Sequence, residues 1–223
     1  MKIVIANSKS WFKISSKLKK ENEILYFKNP KEFNFSVIEK FNPDLIFFPH
    51  WNWVVSEEIH KSFKCIVFHT SPLPFGRGGS PIQNLILYGY ERSPVCALKM
   101  TSGIDSGPIY MKKNLSLEGS LKEIFKKLNL IVNELIGELI NELPEPITQN
   151  GEGFIFKRLS EKDNLILSDE SIKKVYDKIR MVDEETYPNA YIDYGDFRVE
   201  FTNAKLLNGN VSCKAIIKKK LTD

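Results

Sequence analysis

Several patterns that would announce a metal, nucleotide or membrane function are missing from this 223-residue chain. Cysteine is scarce. Cys65, Cys96 and Cys213 are far apart, so no CxxC pair is available to hold zinc. Cys65 and Cys96 fall inside apolar runs, where a thiol acts as a small buried hydrophobe in a reducing compartment. Histidine is scarcer in effect: His50, His60 and His69 are the whole supply, and none belongs to an HExxH motif. No metal site is expected. The first apolar run is followed by Asn7-Ser8-Lys9-Ser10 rather than GxGxxG, and no P-loop occurs, so dinucleotide binding has no support. Ser71 lacks the GxSxG surroundings of a hydrolase nucleophile. No apolar run approaches the roughly 18 residues of a membrane span. The opening MKIVIA has no signal-peptide layout, so a cytoplasmic location is expected. A formal charge of +4, from 32 basic and 28 acidic residues, is a weak bias. The lysines are scattered through 17–20, 126–127 and 218–220, as on a solvated surface. Neither nucleic acid nor membrane is expected as a partner.

What remains is an ordinary soluble composition with a repeated strand, loop, helix order. Lys2–Ala6 reads as a buried parallel strand, followed by a helix-like segment through Lys19. Ile24–Phe27 and Asp44–Pro49 read as further strands, with a helix at Ser36–Phe41 between them. Cys65–Phe68, Val95–Met100 and Ile109–Leu115 continue the series, and Ser80-Pro81 opens a helix over Ile82–Tyr88. Ser120-Leu121-Lys122-Glu123 is a capping box for a long core-facing helix that ends at Pro144. Beyond it the texture changes. Ser168 is positioned to cap a helix, and Ala190–Tyr194, Phe197–Phe201 and Val211–Lys218 alternate like antiparallel strands. Gly195-Asp196 and Asn208-Gly209 supply the turns. The expected architecture is α/β: a mostly parallel sheet over residues 1–152, then a small β-rich subdomain over 153–223.

Chemistry concentrates between Cys65 and Met111. His69 stands at a strand end, and Asp105 lies in a glycine-flanked turn after the next strand. Strand ends at the carboxyl edge of an open α/β sheet are where ligands bind. Between them, Ser71-Pro72-Leu73-Pro74 and Gly76-Arg77-Gly78-Gly79 form a stiff loop that a ligand can approach closely. A lone strand-end histidine is more often structural than catalytic. This loop and the Asp105 turn favour proton transfer and oxyanion stabilisation in acyl transfer. Trp51-Asn52-Trp53 either caps the core or walls a site for a flat heterocycle. The Ser8-Lys9-Ser10 turn after the first strand could hold an anion, a simple capping turn being the expected use.

His69-Thr70-Ser71-Pro72-Leu73-Pro74, Arg77-Gly78-Gly79-Ser80-Pro81-Ile82-Gln83 and Gly103-Ile104-Asp105-Ser106-Gly107 resemble the motifs of the formyltransferases that use N10-formyltetrahydrofolate. Tyr187-Pro188-Asn189-Ala190 resembles a further segment of the tRNA and sugar members. The resemblance implies a Rossmann-like formyltransferase sheet, His69 and Asp105 as catalytic residues, and N10-formyltetrahydrofolate as co-substrate. The family's oxyanion asparagine is replaced by Val67, and Asn52 is the expected substitute. Trp51, Asn52 and Trp53, with Thr101, Ser102, Gly103 and Ile104, would embrace the folate. Lys9, Ser71, Leu73, Pro74, Arg77, Gly78 and Gly79 would face the acceptor. The short tail and weak charge disfavour tRNA, while the tail after Tyr187 and Gly78-Gly79-Ser80-Pro81-Ile82-Gln83-Asn84 look most like sugar N-formyltransferases, so the resemblance implies a nucleotide-linked 4-amino-4,6-dideoxy sugar as acceptor, UDP-linked before dTDP-linked. A formyltetrahydrofolate hydrolase and an inert folate-binding module are the alternatives, and assembly as a homodimer is left open.

Overall fold

Ile3, Val4, Ile5 and Ala6 are wholly removed from solvent within the first strand, β1 (Lys2–Asn7). An unbroken apolar strand of this kind is stable only where both of its faces are covered. Chain order continues with α1 (Ser16–Glu21), β2 (Glu23–Phe27), α2 (Phe35–Phe41), β3 (Leu45–His50), α3 (Glu57–Ser62) and β4 (Cys65–His69). Next come β5 (Phe75–Gly78), α4 (Pro81–Leu87), β6 (Arg92–Lys99), β7 (Ile109–Ser116) and α5 (Leu121–Asn141). The remainder is β8 (Phe154–Phe156), a short 3₁₀ turn (Glu161–Asn164), α6 (Ile172–Arg180), β9 (Ala190–Tyr194), β10 (Phe197–Leu207) and β11 (Asn210–Lys219). This computed structural model describes residues 1–220.

The chain divides into two compact units that interleave along the sequence. The first comprises Met1–Gly78, Ser93–Leu115 and Phe125–Ile155; the second comprises Gly79–Arg92, Ser116–Ile124 and the chain from Phe156 onward. The first unit is built on the six-stranded sheet, ordered β2-β1-β3-β4-β6-β7. β1 is parallel to β2 and β3, and β3 to β4, as the buried apolar runs predict. Val4, Ala6, Ile38, Ile46, Phe48, Ile59 and Cys65 form one continuous cluster against this sheet.

Three local expectations are corrected here. α1 begins only at Ser16. The chain before it buries Phe12 and Ile14, and the Lys13 and Ser15 amides donate to Asn129 Oδ1 and Asn133 Oδ1 at 2.8 and 2.7 Å. Amides committed to α5 side chains are held where helix start would otherwise place them. The proline- and glycine-rich loop contains a strand, β5, paired with β8. Finally, β6 runs antiparallel to β4.

In the second unit the reciprocal box between Ser120 and Glu123 forms as expected, with bonds of 2.8 and 3.3 Å. Ser80 precedes Pro81 of α4 but does not cap it. Its hydroxyl accepts from the Leu159 amide at 3.1 Å instead. α6 is capped by Ser171, which accepts from the Lys174 amide, rather than by Ser168. The sheet β11-β10-β9 is antiparallel. Asn208 and Gly209 both take positive φ, as a two-residue hairpin turn requires. Among the described residues, no helix is long and apolar enough to cross a membrane.

Candidate active site

Alternation along β4 sends Ile66 and Phe68 to one face of the sheet and Cys65, Val67 and His69 to the other. His69 is 6% exposed, so both ring nitrogens must find partners inside the protein. Nε2 lies 2.7 Å from the Gly76 carbonyl and Nδ1 lies 3.3 Å from Asp105 Oδ2. A carbonyl only accepts, so Nε2 carries a hydrogen. Nδ1 then faces a carboxylate oxygen that also accepts from the Gly78 amide at 2.9 Å. Closing that contact takes one more proton, on the imidazole or on the carboxyl. The His69 ring is thus held between the Gly76 carbonyl and the Asp105 carboxylate.

The two residues meet by a route different from the expected one. The register sets His69 opposite Cys96 and Ile66 opposite Lys99, so β6 ends beside the start of β4, not beside His69. The carboxyl-edge rule does not apply to an antiparallel pair. The loop after β6 brings Asp105 back, and two backbone features allow it. Asp105 adopts φ 47°, and Gly107 packs so tightly on the Lys99 carbonyl that a Cβ would lie 1.8 Å from its oxygen.

The other candidate residues are distributed as follows. Asn52 is exposed, and its Oδ1 lies 3.2 Å from His50 Nε2. Trp51 packs with Phe33, Phe48 and Trp53, at ring separations of 5.3, 6.4 and 4.9 Å, and joins the core cluster that also takes Val67. Trp53 is 42% exposed and Ile104 70%. Thr101, Ser102 and Gly103 are exposed in the same loop as Ile104. Leu73 is buried with Cys96, Leu98 and Ile109, so it belongs to the core. Ser71 is fully buried and its hydroxyl has no protein partner, while Pro74 offers its carbonyl to the Phe154 amide. Lys9 is half-buried, and its carbonyl accepts from Asn7 Nδ2 at 2.5 Å. Arg77 is bonded to Gln149, a residue that no sequence motif singled out. Gly79 belongs to the second unit, where a Cβ would lie 2.6 Å from that of Arg158. Burial pushes the Cys65 and Cys96 thiols up to about 12 and about 11, which makes them inert core residues.

In the second unit, Tyr187, Tyr191, Arg198, Glu200 and Lys218 line an open cleft of about 320 Å³. Its charges are paired, Arg198 with Glu161 and Asp193, Lys218 with Glu200. The Tyr187-Pro188-Asn189-Ala190 segment is anchored there by Asn164 Nδ2, which donates to the Pro188 carbonyl at 2.8 Å.

A mostly parallel α/β sheet with a histidine–aspartate pair against it is compatible with acyl or formyl transfer, and comparison with known proteins gives the family. Residues 3–125 match the formyl transferase family, and residues 161–218 match the C-terminal domain of methionyl-tRNA formyltransferase. The chain belongs to the formyl transferase family. It is 41% identical to a solved structure described as methionyl-tRNA formyltransferase from Clostridium thermocellum, with a TM-score of 0.94 over 99% of this chain and 100% of that one. It is 31% identical to the methionyl-tRNA formyltransferase of Rickettsia africae over 78% of this chain, and covers 59% of that protein's length. The solved 4-N formyltransferase of Francisella tularensis shares the fold, with a TM-score of 0.65 at 20% identity.

These likenesses correct two expectations. A nucleotide-linked amino sugar as acceptor rested on the likeness of the tail and of residues 78–84 to sugar members, and the exclusion of nucleic acid on the short tail and weak charge. The tail matches a methionyl-tRNA formyltransferase domain, and likeness to sugar-modifying enzymes is at the level of fold alone. Overall charge was a poor guide because it averages over both units and says nothing of which surface meets a ligand.

Proposed function

We propose that this chain transfers the formyl group of N10-formyltetrahydrofolate to the amino group of methionine esterified to its tRNA. The observation that carries this reading is the 41% identity to the Clostridium thermocellum protein over essentially the whole of both chains. Residues 1–152 would hold the chemistry and 153–223 would serve the acceptor. Trp53 and Ile104 support the folate assignment, because each leaves a large apolar side chain uncovered on a loop following a sheet strand.

N10-formyltetrahydrofolate supplies an activated formyl carbon. His69 and Asp105 would take the proton that the attacking amine loses and return it to the departing N10 nitrogen, so that protons balance across the exchange of one C–N bond for another. Val67 offers no side-chain donor to a developing oxyanion. Asn52 would take that part with its Nδ2 hydrogens, its Oδ1 being engaged by His50.

The test is incubation with N10-formyltetrahydrofolate and methionyl-tRNA, with the esterified amino acid then weighed by mass spectrometry. N-formylmethionine is the expected product. Formate released without an acceptor, or folate bound with no turnover, would overturn the reading.

A further inference from the structure

Gln149 follows the long helix and its proline stop, in a stretch with no regular structure of its own. Its place is nonetheless pinned on both sides. Two residues earlier, Ile147 exchanges both backbone bonds with Ile109 at 2.8 and 2.9 Å; five residues later, the Phe154 amide donates to the Pro74 carbonyl. Between these anchors the Gln149 side chain uses all of its hydrogen-bonding capacity. Oε1 accepts from Arg77 Nε and Nη2 at 3.1 and 2.7 Å, and Nε2 donates to the Asp105 and Gly107 carbonyls at 2.8 and 2.9 Å. With donors on one side and carbonyls on the other, the amide can face only one way.

We propose that Gln149 is a positioning residue for the His69–Asp105 pair. Three geometric facts lead there. Asp105 holds φ 47°, a left-handed conformation that costs a non-glycine residue some free energy and that its contacts help to fix. The bond to the Asp105 carbonyl does so from the main-chain side. On the other side, Arg77 adjoins Gly78, whose amide donates to the Asp105 carboxylate, so the amide of Gln149 ties together the two segments that hold that carboxylate against His69. Packing also reserves this place, since a Cβ on Gly153 would lie 2.8 Å from Arg77 Nη1.

The inference rests on the reading of the site as a formyl-transfer centre. Gln149→Glu is the discriminating variant. A carboxylate keeps the bond to Arg77 but turns an acceptor toward the Asp105 and Gly107 carbonyls. If Gln149 only anchors Arg77, the variant behaves as wild type. If it positions Asp105, kcat falls by about 10²-fold, as for a 1 Å misplacement of a reacting group, with KM for both substrates unchanged. Gln149→Met, which keeps the length and drops all four bonds, should match it, with both variants melting lower than wild type but fully folded at the assay temperature. A loss of rate that tracks loss of folded protein, or a rise in KM alone, overturns the proposal. The His69 ring nitrogens provide a readout independent of turnover. In Gln149→Glu their NMR shifts should move toward those of Asp105→Ala, and shifts that stay at wild-type values overturn the proposal. If wild type transfers no formyl group, the functional reading has failed, and the ring-nitrogen shifts alone decide the role of Gln149.

Discussion

The two units are held together by different physics. The first is an apolar sheet, with Ile3, Ile5, Phe47, Ile66 and Leu98 at 1% exposure or less, and His69 meets Asp105 beside it at 3.3 Å. The second buries charge as structure. α6 hides Asp177, Lys178 and Arg180, and each is answered. Arg180 Nε reaches Asp177 at 2.6 Å and Arg180 Nη1 donates to the Leu117 and Gly119 carbonyls. Lys178 donates to the Leu165 carbonyl and pairs with Glu170 at 2.7 Å. Burying an ion costs several kcal/mol, and this is offset only when geometry and partners are nearly complete. On the proposed function the His69–Asp105 contact serves chemistry, whereas the buried charges of α6 serve as support.

His69→Ala tests the first half of that contrast. It should lower formyl transfer per folded molecule by about 10²–10⁴-fold, the usual share of a general acid–base group, a loss far larger than its cost in stability explains. A large loss of stability with modest loss of rate would make His69 structural. Arg180→Met tests the other half. Removing one partner from a buried pair should cost about 3–5 kcal/mol in denaturant unfolding with no specific effect on kcat. A cost below about 1 kcal/mol would place the pair among ordinary surface bridges.

Acid should separate the units as well. The hydrogen bond from the Lys218 ammonium holds Glu200 below the usual carboxylate range, and the bond from Arg198 does the same for Asp193. A lowered folded-state value means that this support is complete above the ordinary carboxylate pKa of about 4, and drains away as pH falls through the lower folded values. Amide protection in β9 to β11 should thus decline below about pH 4 before that in β1 to β3. Simultaneous loss would remove the distinction. The smallest effect belongs to Gly209→Ala. A Cβ there meets nothing within 4 Å, but φ is +75°, so the cost should be about 1 kcal/mol from backbone conformation alone. A neutral result would mean that the hairpin turn relaxes freely.

The elements that rest on local rules were legible in advance. Continuous apolar runs marked β1, β3 and β4, the Ser120–Glu123 box marked the start of α5, and Asn208-Gly209 marked a hairpin. α1 was misjudged because the Asn129 and Asn133 side chains, more than a hundred residues away, take the amides that would begin a helix earlier. β5 was hidden by its glycines and by Pro72 and Pro74 just before it, and becomes a strand only because β8 pairs with it. Gln149 carried no signal at all. A single glutamine after a helix stop reads as solvated loop, and only its four bonds distinguish it from one.

His69 and Asp105 were singled out from residue types and neighbouring motifs; the structure brings them within 3.3 Å, and the family match spans those motifs. By itself the sequence determined which segments are buried strands, where several turns fall, and that one histidine and one aspartate stand in loops able to carry chemistry. Those features depend on side chains a few residues apart. Tertiary structure decided that β6 runs against β4, that Asp105 must return along a strained loop to reach His69, and that Arg77 and Gln149 brace that return. Strand direction and cross-chain hydrogen bonds depend on partners far away in sequence, so no local pattern encodes them.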